Sequence, residues 1–513
     1  MNKYKYSFLS FLKIIPLAAV VLMASGCGNF LEEESQDEVI PSSASDLEQI
    51  LIGEGYQMSS SLMPYLDMMT DDVMSNYTES ANQQAYVKAG QAPFIWEKQL
   101  FERMKEQDIS NYNTWSGYYS LIKGCNVALD MIDDATGSDS DKGNVKGQAL
   151  ALRGYYYFML ANLFAKPYNA EGIDRDTEPC VPLILKSEVT DDYPTRNTIT
   201  EVYDQIEKDL LAAEPLMEAY GTGNNKNKVT DQFVHMLLCR LYLYEERYDD
   251  CIKQADIVLA KQPGLLKIAN YATRSSSGFY TMHVYHPDSP ELIWCYSSDT
   301  ENTNFEGVCN GSDTPAFIVS NDLKSLYDYK KSARTNKGDM RLSFFFTTYN
   351  VGSMKWDPTL GTFVQNTDVY WGCHNYNSGD ASKGFRTAEA YLNRAESYIR
   401  KFQSEGKDAY RVKALADLNT LRESRWDGTY TPVDITDADS LWTFYTQERR
   451  RELAFDDHRW FDLRRFGMPR ITHTFELTKG QPIEYVLEKN DSRYVLEIPQ
   501  EAITRNPSLK QNP

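Results

Sequence analysis

Along most of the chain, apolar side chains return every three or four positions, the spacing that lines one face of a helix. Trp115, Tyr118, Tyr119, Ile122, Cys125, Leu129 and Ile132 form one such face. The polar stretch Gly137 to Gly143 reads as a turn into a second helix through Ala149, Leu152, Tyr156, Leu160 and Leu163. Phe233, Leu237, Leu238, Leu241 and Tyr244 predict a third helix. It turns at Arg247-Tyr248-Asp249-Asp250 into a partner carrying Ile252, Ala255, Val258 and Leu259. A last pair sets Phe385, Ala388, Leu392, Ala395 and Ile399 against Val412, Leu415, Leu418 and Leu421.

Small residues at points of close approach, with so short a polar turn, look like tetratricopeptide-type helix pairs. Their unequal spacing argues against a regular tandem array. The helical period fails over residues 265–318, which include Ser275-Ser-Ser-Gly278 and a strand-like Glu291-Leu-Ile-Trp-Cys-Tyr296. It fails again over 345–384, rich in Gly, Asn, Tyr and Trp. Residues 60–100 contain a similar stretch, Asp71 to Tyr77, and an isolated Trp96. Long irregular segments inside a folded domain tend to carry function. The expected fold class is mostly α, with a loop-rich face and short strands.

Lys3, Lys5 and Lys13 precede an apolar run from Ile14 to Ala24, which ends in Ala24-Ser25-Gly26-Cys27. The run is about half of the roughly 20 residues needed to span a bilayer. A charged start, a short apolar core and small residues at the end describe a cleaved leader. A cysteine at the cut predicts a bacterial lipid anchor on Cys27, although Ala24 stands where Leu is usual. Each buried CH2 of an acyl chain contributes about 0.8 kcal/mol, so several chains hold a domain durably. Glu32 to Glu38 is acidic and polar, suited to a tether. The expected layout is a leader over 1–26, lipidated Cys27 and tether over 27–45, and one folded domain over 46–513.

A net charge of −20 argues against nucleic acid and against a basic membrane-binding patch. Cys27 aside, Cys125, Cys180, Cys239, Cys251, Cys295, Cys309 and Cys373 show no CxxC pair, and Cys125, Cys239 and Cys251 fall on helical apolar faces, where buried thiols are expected. Phosphate-binding, metalloprotease and serine-hydrolase signatures are absent from the sequence. His283 and His286 read as loop histidines, and Asp139-Ser-Asp141 as a solvated turn rather than a calcium loop. Carboxylates are too abundant to single out a glycosidase pair, which is defined by a separation of about 5 to 9.5 Å. No cofactor, metal or catalytic residue is predicted.

The densest constellation runs from Glu448 to Gly467, where Arg451, Arg459, Arg464 and Arg465 alternate with Glu452, Asp456, Asp457 and Asp462. Arginine forks pairing with carboxylates predict a lock between helices. This segment resembles the C-terminal motif of the SusD/RagB family. Further likenesses follow in order: Asn29-Phe30-Leu31, Ala149 to Phe158, Pro290 to Trp294, Phe385 to Glu396, Ile498 to Glu501 and Asn506 to Pro513. One departure is Asp456-Asp457, where the family more often has an acidic residue and glycine.

The resemblance implies a SusD-like fold and a non-enzymatic, lipid-anchored protein on the outer face of the outer membrane. It implies capture of an oligo- or polysaccharide, or another nutrient, for a SusC-type TonB-dependent transporter. A lipid-anchored glycoside hydrolase and a helical-repeat scaffold are the alternatives. Sugar recognition needs flat aromatic faces outside helical cores. Trp356, Tyr370, Trp371 and Tyr376 are the first candidates, then Trp96, Tyr77 and Asp72, with Tyr296 also possible. Trp115, Trp294, Trp442 and Trp460 are expected to pack internally.

Overall fold

The computed structural model describes residues 41–513 except 58–61, 78–80, 110–111, 189, 191, 222, 224, 272–281, 298–314, 332–335, 351–353, 358, 366–368 and 373–380. Cys27, the expected leader and most of the tether lie outside the described residues, as do Tyr376, Cys309 and Cys373. The first helices are α1 (Ala44–Ile50), α2 (Ala81–Phe94), α3 (Leu100–Glu106), α4 (Thr114–Met131), α5 (Asp139–Phe164), α6 (Ile199–Tyr220), α7 (Asp231–Tyr244) and α8 (Tyr248–Lys261). Short α9 (Asn321–Ser325) and α10 (Arg341–Phe345) precede α11 (Thr387–Glu405), α12 (Asp408–Ser424), α13 (Ala438–Glu452), α14 (Arg459–Arg465) and α15 (Gln500–Arg505).

Strands are short and pair antiparallel. β1 (Val73–Ser75), β2 (Leu292–Ser297), β3 (Phe317–Val319), β4 (Tyr329–Lys331) and β5 (Asn336–Asp339) come first. β6 (Thr347–Asn350), β7 (Met354–Asp357), β8 (Thr362–Gln365), β9 (Val369–Gly372) and β10 (Ala381–Arg386) fill the second irregular region. β11 (Trp426–Asp427), β12 (Ile471–Phe475) and β13 (Ile483–Leu487) follow. β1 pairs with β3, β10 with β2, β12 with β13, and β4 and β11 flank β5. The β7–β8 hairpin is nested inside the β6–β9 pair.

The helices pack in succession, α4 on α5, α5 on α6, α6 on α7 and α7 on α8, after which α11 lies against α8 and pairs with α12. Gln148 to Phe164 of α5 are all buried, making that helix the spine of the main core. A second core joins Leu392 and Ile399 of α11 to Leu415, Leu418 and Leu421 of α12 and to Leu441 and Tyr445 of α13. Trp294 packs edge-on against Tyr155 and Phe233 and at a tilt to Phe385, with centroids 5.7, 5.0 and 5.8 Å away. Trp460 stacks on Tyr494 at 5.0 Å. Cys125, Cys180, Cys239, Cys251 and Cys295 are buried free thiols. No helix among the described residues is long and apolar enough to cross a membrane.

Local chemistry corrects three boundaries. Ser138 accepts from the Asp141 N–H and caps α5, so the stretch expected as a solvated turn is a helix start. Asp139 and Asp141 in that first turn favour the positive end of the helix dipole. The turn between α7 and α8 falls at Glu245-Glu246, with Glu246 at φ +60°, and Tyr248 to Asp250 are already helical. Residues 81–94 form α2, which a weak period and the sequence Gly90…Pro93 concealed. Val412, expected on an apolar face, is 52% exposed.

At its far end α5 leaves carbonyls that its own turns cannot satisfy. Arg464 donates to the Asn162 and Ala165 oxygens, while Arg196 and Asn512 donate to that of Phe164. At the near side of the core, α4 meets the turn Leu51–Gly55 so closely that a Cβ on Gly124 would lie 2.2 Å from the Glu54 oxygen. Gly124→Ala should therefore lower stability by about 1–3 kcal/mol, read as a reduced urea midpoint with the helical circular dichroism retained.

Candidate functional site

Glu452, at the end of α13, is fully buried and accepts from three arginines. Arg425 donates through Nε and Nη2 at 3.0 and 2.8 Å, Arg386 through Nη1 at 2.8 Å and Arg341 through Nη1 at 3.1 Å. Burial pushes the Glu452 carboxyl up, but the guanidinium groups, Arg425 foremost, outweigh it and hold the pKa at about 2. The arginines reach onward. Arg425 also binds Glu291 at 2.8 Å, Arg386 binds Asp456 at 2.6 Å, and Arg341 binds Asp339 at 2.6 Å. A neighbouring set joins Arg449 and Arg465 to Asp462, and Arg465 to Glu396 of α11.

These partners sit where the irregular segments begin and end. Glu291 precedes β2, Arg386 closes β10, and Arg341 opens α10 just before β6. On the N-terminal side, Arg450 Nε donates to Asp72 at 2.6 Å and its Nη1 to Asp322 at 2.8 Å. Arg459 grips Asp71 with two bonds of 2.7 Å. Burial opposes the charge on Asp71, yet Arg459 and Arg450 keep its carboxyl well below the usual range. One C-terminal segment thus reaches, directly or through these arginines, a residue in or beside each irregular segment that the sequence singled out.

The strands bring those loops together. β3 pairs with β1 and also packs near β9, and β12 packs near β1. Register places Tyr370 across from Tyr349 and Trp371 across from Thr348, while Trp356 faces Phe363 in the nested hairpin. Tyr77 follows β1 and is partly exposed. The other expected contacts are internal. Trp96 is 2% exposed, donates to the Met69 oxygen at 2.8 Å, and stacks on His473, whose opposite face meets Phe94. Asp72 is buried and spent on Arg450, and Tyr296 is 4% exposed. All three build the floor under the loops rather than an open surface.

The departure at Asp457 has a structural use. Its φ of +61° lies in the left-handed region, where glycine is unstrained. In return the side chain accepts from buried Lys383 Nζ at 2.7 Å and from the Tyr296 hydroxyl at 3.5 Å. Lys383 also donates to the Phe455 oxygen and lies 3.4 Å from Asp67. Burial raises the Asp67 carboxyl to about 7; Lys383 opposes the rise and Asp457 adds to it.

Among the clefts of the described residues, two are roomy enough to hold a ligand. One, enclosing 780 Å³, lies between β1, the start of α9 and β12, and its polar lining includes Asp71, Ser75, Asp322, Arg470, Thr472 and Thr474. The other, of 400 Å³, has Trp115 and Tyr119 in its wall, with Ser120, Lys123, Glu501 and Arg505 around them. Trp115, expected to be packing alone, also lines this groove. The signal available in the sequence was the run of polar Ser116, Ser120 and Lys123 beside it on the same helix.

Glu452→Ala would leave three buried guanidinium groups short of a partner, with an expected loss of about 3–5 kcal/mol in urea unfolding at neutral pH. Asp67 supplies a pH test. Its folded pKa of about 7 exceeds the unfolded value of about 3.9, so the folded state binds more protons between them. Its contribution to stability is present at low pH and lost as pH rises through 7. The fall in urea midpoint from pH 5 to 8 should be shallower in Asp67→Asn; an unchanged slope would refute the assignment.

A family model described as starch-binding and associating with the outer membrane matches residues 29–243, and one described as the SusD family matches residues 363–513. A SusD-like protein from Formosa agariphila is 21% identical over 385 residues, covering 69% of this chain and 72% of its own. A SusD superfamily structure from Bacteroides thetaiotaomicron superposes with a TM-score of 0.65 at 20% identity, over 92% of this chain and all of its own. A SusD-like carbohydrate-binding protein structure from Bacteroides vulgatus gives 0.63 at 22% identity, over 91% and 97%. Matches at both ends of the chain and one shared fold between them place the protein in the SusD/RagB family.

Proposed function

We propose that this chain is a non-catalytic carbohydrate-binding lipoprotein, anchored to the outer membrane through Cys27, with its loop face turned outward. It captures an oligo- or polysaccharide and hands it to a SusC-type TonB-dependent transporter. The observation that carries the reading is the convergence of separate irregular segments on adjoining strands, β1, β3 and β9, with Trp356, Tyr370 and Trp371 on the same insertion. Aromatic faces cover the C–H side of a sugar ring, and neighbouring polar groups take its hydroxyls. Tyr376 and Tyr77 belong to the same proposed surface. The family matched over residues 29–243, starch-binding and associating with the outer membrane, supports both the ligand class and the membrane. The acidic stretch after Cys27 is the proposed outward-sorting segment.

Affinity electrophoresis and isothermal titration against a polysaccharide panel test the reading. A glycan should bind, and Trp371→Ala or Trp356→Ala should weaken it roughly tenfold or more with little change in melting temperature. Binding of peptides with no response to any glycan would overturn the sugar assignment. Incubated oligosaccharide should return at its original length; shortening would favour the hydrolase reading instead.

A further inference from the structure

Between α6 and α7 lies a group of ligating atoms that neither the loop face nor the arginine network uses. Glu214 and Glu218, one turn apart on α6, both face His235 of α7. Their ligand atoms all lie within 4.8 Å of one another. His235 is 1% exposed, whereas the Glu218 side chain is 55% exposed and leaves a path from solvent.

Hydrogen bonding fixes the imidazole tautomer. Nδ1 hydrogen-bonds the Gln254 Oε1 at 2.8 Å, so Nδ1 carries a proton, and Glu214 Oε1 lies 3.3 Å from that nitrogen. Gln254 is held that way round because its Nε2 donates to Glu214 at 3.4 Å. In the neutral ring, Nε2 then presents a lone pair to Glu218 Oε1 only 3.3 Å away. Two acceptors at that distance repel unless a proton or a metal ion stands between them. The spacing of Nε2 and Glu218 Oε1 suits a metal, since tetrahedral ligands at about 2.0–2.1 Å from zinc are separated by roughly 3.3 Å, and Glu214 offers a carboxylate oxygen in the same cluster. A histidine that donates its other N–H to an amide oxygen is also oriented as metal-bound histidines are.

We propose that Glu214, Glu218 and His235 form a site for a divalent first-row transition ion. One imidazole and two carboxylates are a ligand set that zinc accepts and calcium does not favour. Bound there, the ion would clip α6 to α7 within the helical-pair region, away from the loop face.

The test uses the full chain without its leader, freed of metal by chelation and titrated with Zn²⁺ calorimetrically. Co²⁺ provides a visible spectrum as a second readout. One equivalent should bind, raise the melting temperature and, with Co²⁺, give ligand-field absorption. Glu218→Gln, at a half-exposed position that leaves the core untouched, should weaken binding at least tenfold and abolish the thermal shift. Glu214→Gln should do likewise. Absence of saturable binding by the unmodified chain, which would leave a second proton as the cation on His235, overturns the proposal. So does Zn²⁺ affinity unchanged in both glutamate variants.

Discussion

The loop-bearing part of this molecule is organised around a carboxylate buried away from solvent. Glu452 survives at the centre of the protein only because three guanidinium groups surround it, and each of those is paired again further out. An isolated buried charge costs several kcal/mol, so each member depends on all the others being in place. The network demands that α10, β10, α12 and α13 arrive together. Of these, α10 and β10 carry the two ends of the second irregular segment, which is how a helical scaffold comes to present irregular strands at defined positions.

Much of the scaffold was legible from periodicity. The faces through Tyr118 and Ile122, through Leu237 and Leu241, and through Leu392 and Ile399 are the faces that the structure buries. Their legibility is physical: a helix packed on one side must repeat its apolar positions. The missed helix α2 shows the converse, since AlaAsnGlnGlnAlaTyrValLysAlaGlyGlnAlaProPhe has no strong stripe and is held by tertiary contacts. The cap at Ser138 could have been recognised, because a hydroxyl followed three residues later by Asp141 is a start signal.

The site was harder to read for a different reason. Asp72 and Trp96 stand where the sequence shows no regular period, so nothing local marks them as interior. Their partners come from far away: Arg450 is 378 residues beyond Asp72, and His473 lies close to the other end. The arginine-rich segment was readable as a lock from composition, but which loops it locks became visible only in three dimensions. Asp457 illustrates the same limit. Its substitution for a more usual glycine looked incidental in the sequence, yet it holds Lys383 beneath the loop face.

Depth has a bearing on where such a protein can work. Ions in solution screen charges over about 8–10 Å at ordinary salinity, but only where solvent reaches them. Pairs such as Lys146–Asp133 or Arg505–Glu501 stand in water and fade in brine. The Glu452 assembly lies beyond that reach, so the geometry of the loop face becomes largely independent of the electrolyte bathing it.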